Sequence, residues 1–270
     1  MVADIAMLWD WQSWWAQRLE WRPSLDLDAR ERAEAWYAAA YDRHLTVAFA
    51  HPEADLGRYP LVVAPALYSM TEAAGAGLRR FAEDGGTLVV SCFSGIVDER
   101  DTIHAGPHPG ALHDVLGLTV EEFTPLRSGH EVRLDNGMTG TVWSEVLALR
   151  GDEQVWSYVD GPAAGLPAVT RHSVGRGSAW YVSTRLTADG LDAVLRAAIS
   201  PTTLTPRELP RDVEVVERAG PEGRYEFAIN HTDDDVVDVG EPAAELLTGD
   251  DVVGVLHVPA GEVRVVFRPW

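Results

Sequence analysis

A short unbroken apolar run, Ile5-Ala6-Met7-Leu8-Trp9, stands near the start of the chain and predicts a strand buried on both faces. Asp28 and Glu31 then form a capping-box signature. Ala29, Ala33, Trp36 and Ala40 recur at helical spacing, with Tyr37 and Tyr41 beside them, so a helix is predicted over 28–43. Leu45-Thr46-Val47-Ala48-Phe49 reads as a second strand, and 59–64 as a third that ends at Pro65. Ser69 with Glu72 marks another helix start. Met70, Ala74, Leu78 and Phe81 line the apolar face of that helix, and Gly85-Gly86 stops it. Thr87-Leu88-Val89-Val90-Ser91 is a fourth strand. Strand, helix, strand, strand, helix, strand in this order predicts an α/β fold with a doubly wound, mostly parallel sheet. Right-handed crossovers would place helices on both of its faces.

Beyond Ser91 the pattern loosens. Residues 100–110 are polar, carry Gly106-Pro107-His108-Pro109 and read as a long loop. A short helix over 111–116 is stopped by Gly117, and 118–123 reads as a strand. From 129 to 183 the period changes to two: Thr141-Val142-Trp143-Ser144 and 154–158 alternate, and 168–172 and 179–183 flank Val174-Gly175-Arg176-Gly177, a hairpin signal. Thr187 is placed to cap a helix with Leu191, Val194, Leu195 and Ala198 on one side, stopped by Pro201. Residues 201–210 hold three prolines and a threonine cluster, as a linker does. The tail has no helical period and predicts six short antiparallel strands, near 213–216, 225–230, 235–239, 243–247, 252–258 and 263–268. Asp233-Asp234-Asp235 reads as a hairpin tip. A tail of this size has a marginal core and is expected to lean on a neighbour.

Composition narrows the function. A net charge of −20 argues against nucleic acid and against anionic membrane surfaces, because both are bound through Lys and Arg. No stretch approaches the roughly 18 apolar residues of a membrane span. The single cysteine, Cys92, excludes an intrachain disulfide framework and a thiolate zinc site and points to a reducing compartment, so a cytoplasmic protein is expected. No signal-peptide pattern is visible, and Met1-Val2-Ala3-Asp4 leads straight into the first strand, as the start of an excised domain would.

The densest candidate chemistry is Asp10-Trp11-Gln12-Ser13-Trp14-Trp15, directly after the first strand, with three indoles in five residues. That turn lies at the carboxyl end of the strands, where α/β sheets place ligands. A nucleotide site would need glycines there to let phosphate approach the backbone. Bulk in their place points to contact with something large: another domain, another subunit or a sugar. Burial of all three in the core is disfavoured, since neighbours on a helix point in different directions. Arg18 and Arg22 are the nearest positive charges and are placed to meet carboxylates on a partner. His104, His108 and His113 invite a metal reading, but spacings of four and five across a Gly-Pro loop do not define a ligand geometry, so no metal and no cofactor are expected. Asp98 is expected to accept backbone hydrogen bonds in its loop, with Glu99 and Asp101 solvated.

Five segments together resemble the C-terminal half of the family 42 glycoside hydrolases, the bacterial β-galactosidases: residues 5–15, 59–67, 84–91, 93–98 and 175–183. Gln12 stands where a glutamate is expected. The resemblance implies a flavodoxin-like, class I glutamine amidotransferase-like α/β domain that builds a homotrimer, here 1–206, followed by a small antiparallel β domain, 207–270. It also implies that the catalytic barrel, with its general-acid and nucleophile glutamates, is missing. A retaining glycosidase needs two carboxyls about 5–5.5 Å apart, and no Glu here matches either one. The chain is therefore expected to be inactive alone. Its partners would be two further copies and the missing barrel, and galactosides would be met only through the parent enzyme. Trp11, Trp14, Trp15 and Arg18 become candidates for the subunit interface or for the wall of a neighbouring barrel's pocket. Amidotransferase-like folds also place a nucleophilic Cys on a strand-to-helix corner, and Cys92 follows the fourth strand. A Cys92-dependent hydrolase and a sugar-binding module built on the indoles are thus the rival readings, and a buried structural cysteine is the plain alternative.

Overall fold

The computed structural model describes residues 2–151, 153–239 and 242–270, so Met1, with which the predicted first domain begins, lies outside the described residues. Contacts divide the chain into one unit of Ile5–Ala39 and Phe49–Leu204 and another of residues 2–4, Ala40–Ala48 and Thr205–Trp270.

In the larger unit the first strand, β1 (Ile5–Leu8), is wholly buried, as its apolar run requires. It leads into a short helix, α1 (Trp11–Gln17), capped by Asp10, whose carboxylate accepts from the Gln12 and Ser13 amides. α2 (Ala29–Tyr41) begins where the pattern places it, with Asp28 Oδ1 accepting from Arg30 N and Glu31 N. The predicted box is not completed. Glu31 turns its carboxylate to Arg32 Nε at 2.7 Å and Arg185 Nη2 at 2.8 Å, charge-assisted bonds that outcompete a single backbone N–H. β2 (Val47–Ala50) starts two residues later than predicted, because His44 N and Leu45 N still close the end of α2 on Tyr41 O and Ala40 O. After β3 (Leu61–Ala64), α3 (Glu72–Glu83) is capped by Thr71 and not by Ser69. Thr71 Oγ1 accepts from Ala74 N, while the Ser69 hydroxyl donates to Asp98 O. The predicted α3 face, Met70, Ala74, Leu78 and Phe81, is buried. β4 (Thr87–Ser91) has the predicted bounds.

A 3-10 turn precedes α4 (His113–Leu116), which Gly117 ends in the left-handed conformation at φ 66°. There follow β5 (Leu118–Pro125), β6 (Glu131–Arg133), β7 (Thr139–Thr141), β8 (Trp143–Leu149), β9 (Glu153–Ser157), β10 (Pro167–Val174), β11 (Gly177–Val182), β12 (Arg185–Leu186) and α5 (Ala188–Ile199). Thr187 stands at the N-cap of α5, but its hydroxyl donates to Thr139 O and not to the helix. The main sheet has the order β2-β1-β3-β4-β11-β10-β9. β1, β3, β4 and β11 run parallel, and β10 and β9 extend the sheet antiparallel. The predicted β10–β11 hairpin is present. Gly177 is required in it, because a Cβ there would meet Gly86 O at 2.2 Å. The remaining period-two segments form two other sheets, β5-β8 and β12-β7-β6. No helix among the described residues is long and apolar enough to cross a membrane.

In the other unit the tail forms β13 (Val213–Ala219), β14 (Gly223–Asn230), β15 (Val236–Val239), β16 (Ala243–Glu245), β17 (Asp251–Val252), β18 (Val255–Val258) and β19 (Val263–Pro269). The fifth predicted strand is split by Gly254 at φ 77°, which gives seven strands among the described residues in place of the predicted six. The sheet β13-β14-β19-β16-β17 faces the pair β15-β18 across Val215, Ala228, Leu256, Val258 and Val266. The acidic run 233–235 is therefore no hairpin tip. β15 leaves β14 to pair with β18, and Asn230 Nδ2 holds the crossing by donating to Asp234 O and Val258 O.

Glu245 ties β16 to β19 and to the turn that follows it. Its carboxylate accepts from Val265 N, Leu247 N and Thr248 N. Burial alone would raise its pKa, but these donors outweigh burial and hold it down at about 2. Glu245→Gln is expected to cost about 2–4 kcal/mol at pH 7, since the amide NH2 would face backbone donors. The cost should shrink as pH falls from 4.5 toward 2, where the parent carboxylate takes up its proton. Urea unfolding of both chains at pH 7 and pH 3 measures the difference, and an equal gap at both would refute the anchor.

Candidate functional site

The period of α1 sorts its side chains. Ser13 and Gln17 are buried, and both hold the helix down: Ser13 Oγ accepts from Ser69 N at 3.0 Å and Gln17 Oε1 accepts from Ala29 N at 2.7 Å. Trp14 is half-buried against a cluster that includes Leu27, Tyr68, Phe93 and Trp143, with the Arg18 guanidinium 5.3 Å from its ring centre. Trp11 and Trp15, four residues apart, point outward and are 58% and 60% exposed. Trp11 still touches Trp9 and Trp14 edge-on, with ring centres 5.4 and 5.7 Å away. The candidate indoles thus divide. Trp14 seats the helix, and Trp11 and Trp15 present it. Gln12 is exposed beside them.

Past the helix Leu19, Trp21 and Leu25 are exposed as well, Trp21 to 95%. Sequence reasoning passed over these residues, although apolar side chains among Glu20, Arg22 and Pro23 with no helical or strand period were the available signal. Arg22 braces this loop by donating to the carbonyls of Gln17 and Leu25. Arg18 lies 3.6 Å from Asp28, so part of its charge is already met within the chain. Exposed apolar surface of this kind, rimmed by polar groups, marks a contact site.

The corner after β4 does not suit a nucleophile. Cys92 is buried, its amide donates to Val182 O, and burial together with the nearby Glu145 pushes its thiol well above the usual range. The left-handed backbone falls on the next residue, Phe93, at φ 68°. The Phe93 ring is buried edge-on to Trp143 at 5.0 Å and against Tyr68 at 5.7 Å, so the corner is filled. Under it, Glu145 accepts from Trp143 Nε1 at 2.8 Å and from Tyr181 Oη at 2.7 Å. Burial pushes its carboxyl up to about 8, against the pull of those two donors, and so keeps it protonated at neutral pH.

The three histidines make separate contacts. His104 Nδ1 is 3.6 Å from Glu72, His108 stands edge-on to Phe123, and His113 meets Asp114 and Thr119. Burial and the neighbouring His104 push His108 down to about 4. Among the described residues no group of three or more His, Cys, Asp or Glu is placed to hold a metal ion. Asp98 accepts from Arg100 N and Thr102 N, as its loop position predicts, and these bonds lower its pKa.

An α/β unit with an outward indole face and a filled corner, in a chain that ends in an antiparallel β unit, has the features of an assembly module. Comparison with known proteins identifies the family. Residues 3–205 match the family model described as the β-galactosidase trimerisation domain, and residues 212–268 match the β-galactosidase C-terminal domain. The chain belongs to the glycoside hydrolase family 42 β-galactosidases. It is 35% identical to a β-galactosidase of Arthrobacter sp over 263 residues, 97% of this chain and 38% of that protein. It is 38% identical to β-galactosidase BgaB of Geobacillus sp. (strain Y412MC61) over 238 residues, 87% of this chain and 35% of that one. Among solved structures, the β-galactosidase from Bacillus circulans sp. alkalophilus superposes with a TM-score of 0.92 at 29% identity, covering 98% of this chain and 41% of its own. The chain thus spans well under half the length of the relatives it matches, and what it matches in them is the trimerisation and C-terminal region.

Proposed function

We propose that this chain is the non-catalytic oligomerisation region of a β-galactosidase that cleaves terminal β-D-galactosides in carbohydrate metabolism, holding three copies of the enzyme in a ring. The match of 3–205 to a trimerisation domain carries the reading, and the exposed Trp11 and Trp15 supply a surface for it. A cyclic trimer closes through two different patches per subunit. The α1 face with Arg18 is one of them in this reading, packing on a neighbouring copy or its barrel. The strand order β2-β1-β3-β4-β11, with its parallel pairs, supports a flavodoxin-like sheet of the amidotransferase type. We divide the chain at 206/207, within the proline-rich stretch, and place the protein in the cytoplasm on the strength of its single, unpaired cysteine. The outward faces of Trp11 and Trp15 also favour a second reading, sugar stacking, which Trp fluorescence under galactose titration tests. Cys92 chemistry is set aside, because the corner residue is Phe93 and the thiol is buried.

Light scattering after size exclusion tests assembly. About three times 29.5 kDa is expected, and a monomer at every concentration would overturn trimerisation by this region alone. The isolated chain is also expected to release no nitrophenol from an aryl β-galactoside, and measurable turnover would overturn the non-catalytic reading.

A further inference from the structure

His44 closes the turn after α2 with its backbone in the left-handed region, at φ 56°. A residue other than glycine stays there only where its surroundings hold it. Its ring supplies the hold. Nδ1 lies 2.9 Å from Val213 O and Nε2 lies 2.8 Å from Leu209 O, so both ring nitrogens meet carbonyl oxygens. A neutral imidazole has one N–H, and its other nitrogen would set a lone pair against a lone pair. Only the imidazolium donates on both sides. Among the described residues the ring forms no ion pair, so the two carbonyls are its partners. The charged groups of this region are Asp4 beside Thr46, Asp42 and Arg43 on the turn, and Arg207, Arg211 and Asp212 on the facing stretch, with Glu214 and His231 beyond them. Asp42 and Arg211 offset each other, with Arg211 Nε 3.0 Å from Asp42 Oδ1, and Arg207 pairs with Glu226. His44, Leu209 and Val213 all lie in the unit that holds Ala40–Ala48 and Thr205–Trp270.

We propose that His44 is a proton-operated latch, which as the imidazolium holds the stretch 209–213 to the turn after α2 and in alkaline solution lets one of its two carbonyls go. The proton leaves to solvent, and the electron pair left on the nitrogen repels the oxygen that it had held. The entry into β13 loosens as a result. The latch needs no second copy of the chain, so it stands apart from the α1 contact proposed above. Two amides report on it: Leu45 N, bonded to Ala40 O beside the turn, and His231 N, bonded to Asp212 O beside the stretch. Leu246 N, bonded to Val265 O, follows β16, three strands across the sheet from β13, and serves as the control.

Nitrogen–proton correlation spectra of the histidine rings, with hydrogen exchange of these amides corrected for intrinsic rates, test the latch in the full chain. At pH 5.5 both His44 ring nitrogens are expected to carry protons and both reporter amides to exchange slowly. At pH 9 one ring nitrogen is expected to be bare, with the reporters exchanging about tenfold faster relative to Leu246 N. His44→Asn tolerates the left-handed backbone but has no ring to span the two carbonyls. Its reporters are expected to exchange at the faster rate at both pH values. A neutral His44 ring at pH 5.5, or reporters equally slow in the parent at both pH values, overturns the latch. So does a control that speeds up as much as the reporters, which would mark a general opening of the unit. A pH response in His44→Asn as large as the parent's would assign the effect to another group and overturn it too.

Discussion

Relative to Glu145→Gln, the parent chain is expected to lose on the order of 4 kcal/mol of stability between pH 5 and 8.5. The direction follows from where the proton resides. Burial raises the folded carboxyl to about 8 from an ordinary 4.5. The folded chain therefore binds one more proton than the unfolded chain at intermediate pH. The stabilisation is complete below about 4.5 and drains away as pH climbs through 8, at about 1.4 kcal/mol per unit. Glutamine does not titrate and keeps the same two partners, so it removes this contribution, while that of every other group, His108 included, is common to both chains. Urea unfolding at pH 5, 7 and 8.5 measures it. Parallel pH profiles for the two chains would mean that Glu145 does not retain its proton.

Trp11→Ala with Trp15→Ala is expected to weaken self-association by on the order of 2–4 kcal/mol, roughly 30- to 1,000-fold, with little change in unfolding. Both rings already stand in solvent in the single chain, so their removal opens no cavity. Trp14→Ala should behave in the opposite way, costing about 2–4 kcal/mol of folding stability by emptying the space between Arg18 and the Tyr68–Phe93–Trp143 cluster. The sequence reading placed Trp14 with Trp11 and Trp15 among the interface candidates. The structure leaves that role to Trp11 and Trp15, because α1 turns Trp14 inward. Sedimentation across a concentration series, with denaturation of each variant alongside, tells the two behaviours apart. An association constant unchanged in the double variant would exclude the α1 face as a subunit contact.

Much of this was legible in residue order. β1, β4 and the β10–β11 hairpin lie where apolar runs and Gly175-Arg176-Gly177 place them, and Asp28 caps α2 as its spacing indicates. The errors share a cause. Ser69 and Thr71 offer the same hydroxyl chemistry two residues apart, and only the carbonyl of Asp98, brought alongside from a later loop, takes Ser69 away from the helix. Glu31 gave up its capping role to Arg185, more than 150 residues on. Glu145 carried no signal at all. In the alternation Trp143-Ser144-Glu145 it reads as one more polar strand residue, and only the fold brings Cys92, Tyr158 and Tyr181 from other segments beside it.

The chain's own order of apolar runs, caps and glycines determined that there would be an α/β unit and then an antiparallel one, and the segments within 5–98 and at 175–183 were enough to signal the family. Those features act through neighbours a few residues away, so they can be read along the chain. Which indole faces outward, which corner residue takes the left-handed backbone, and which carboxyl keeps its proton were decided only by the tertiary structure. Exposure, strain and desolvation depend on what distant segments pack over a side chain, and that packing exists only after the chain has folded.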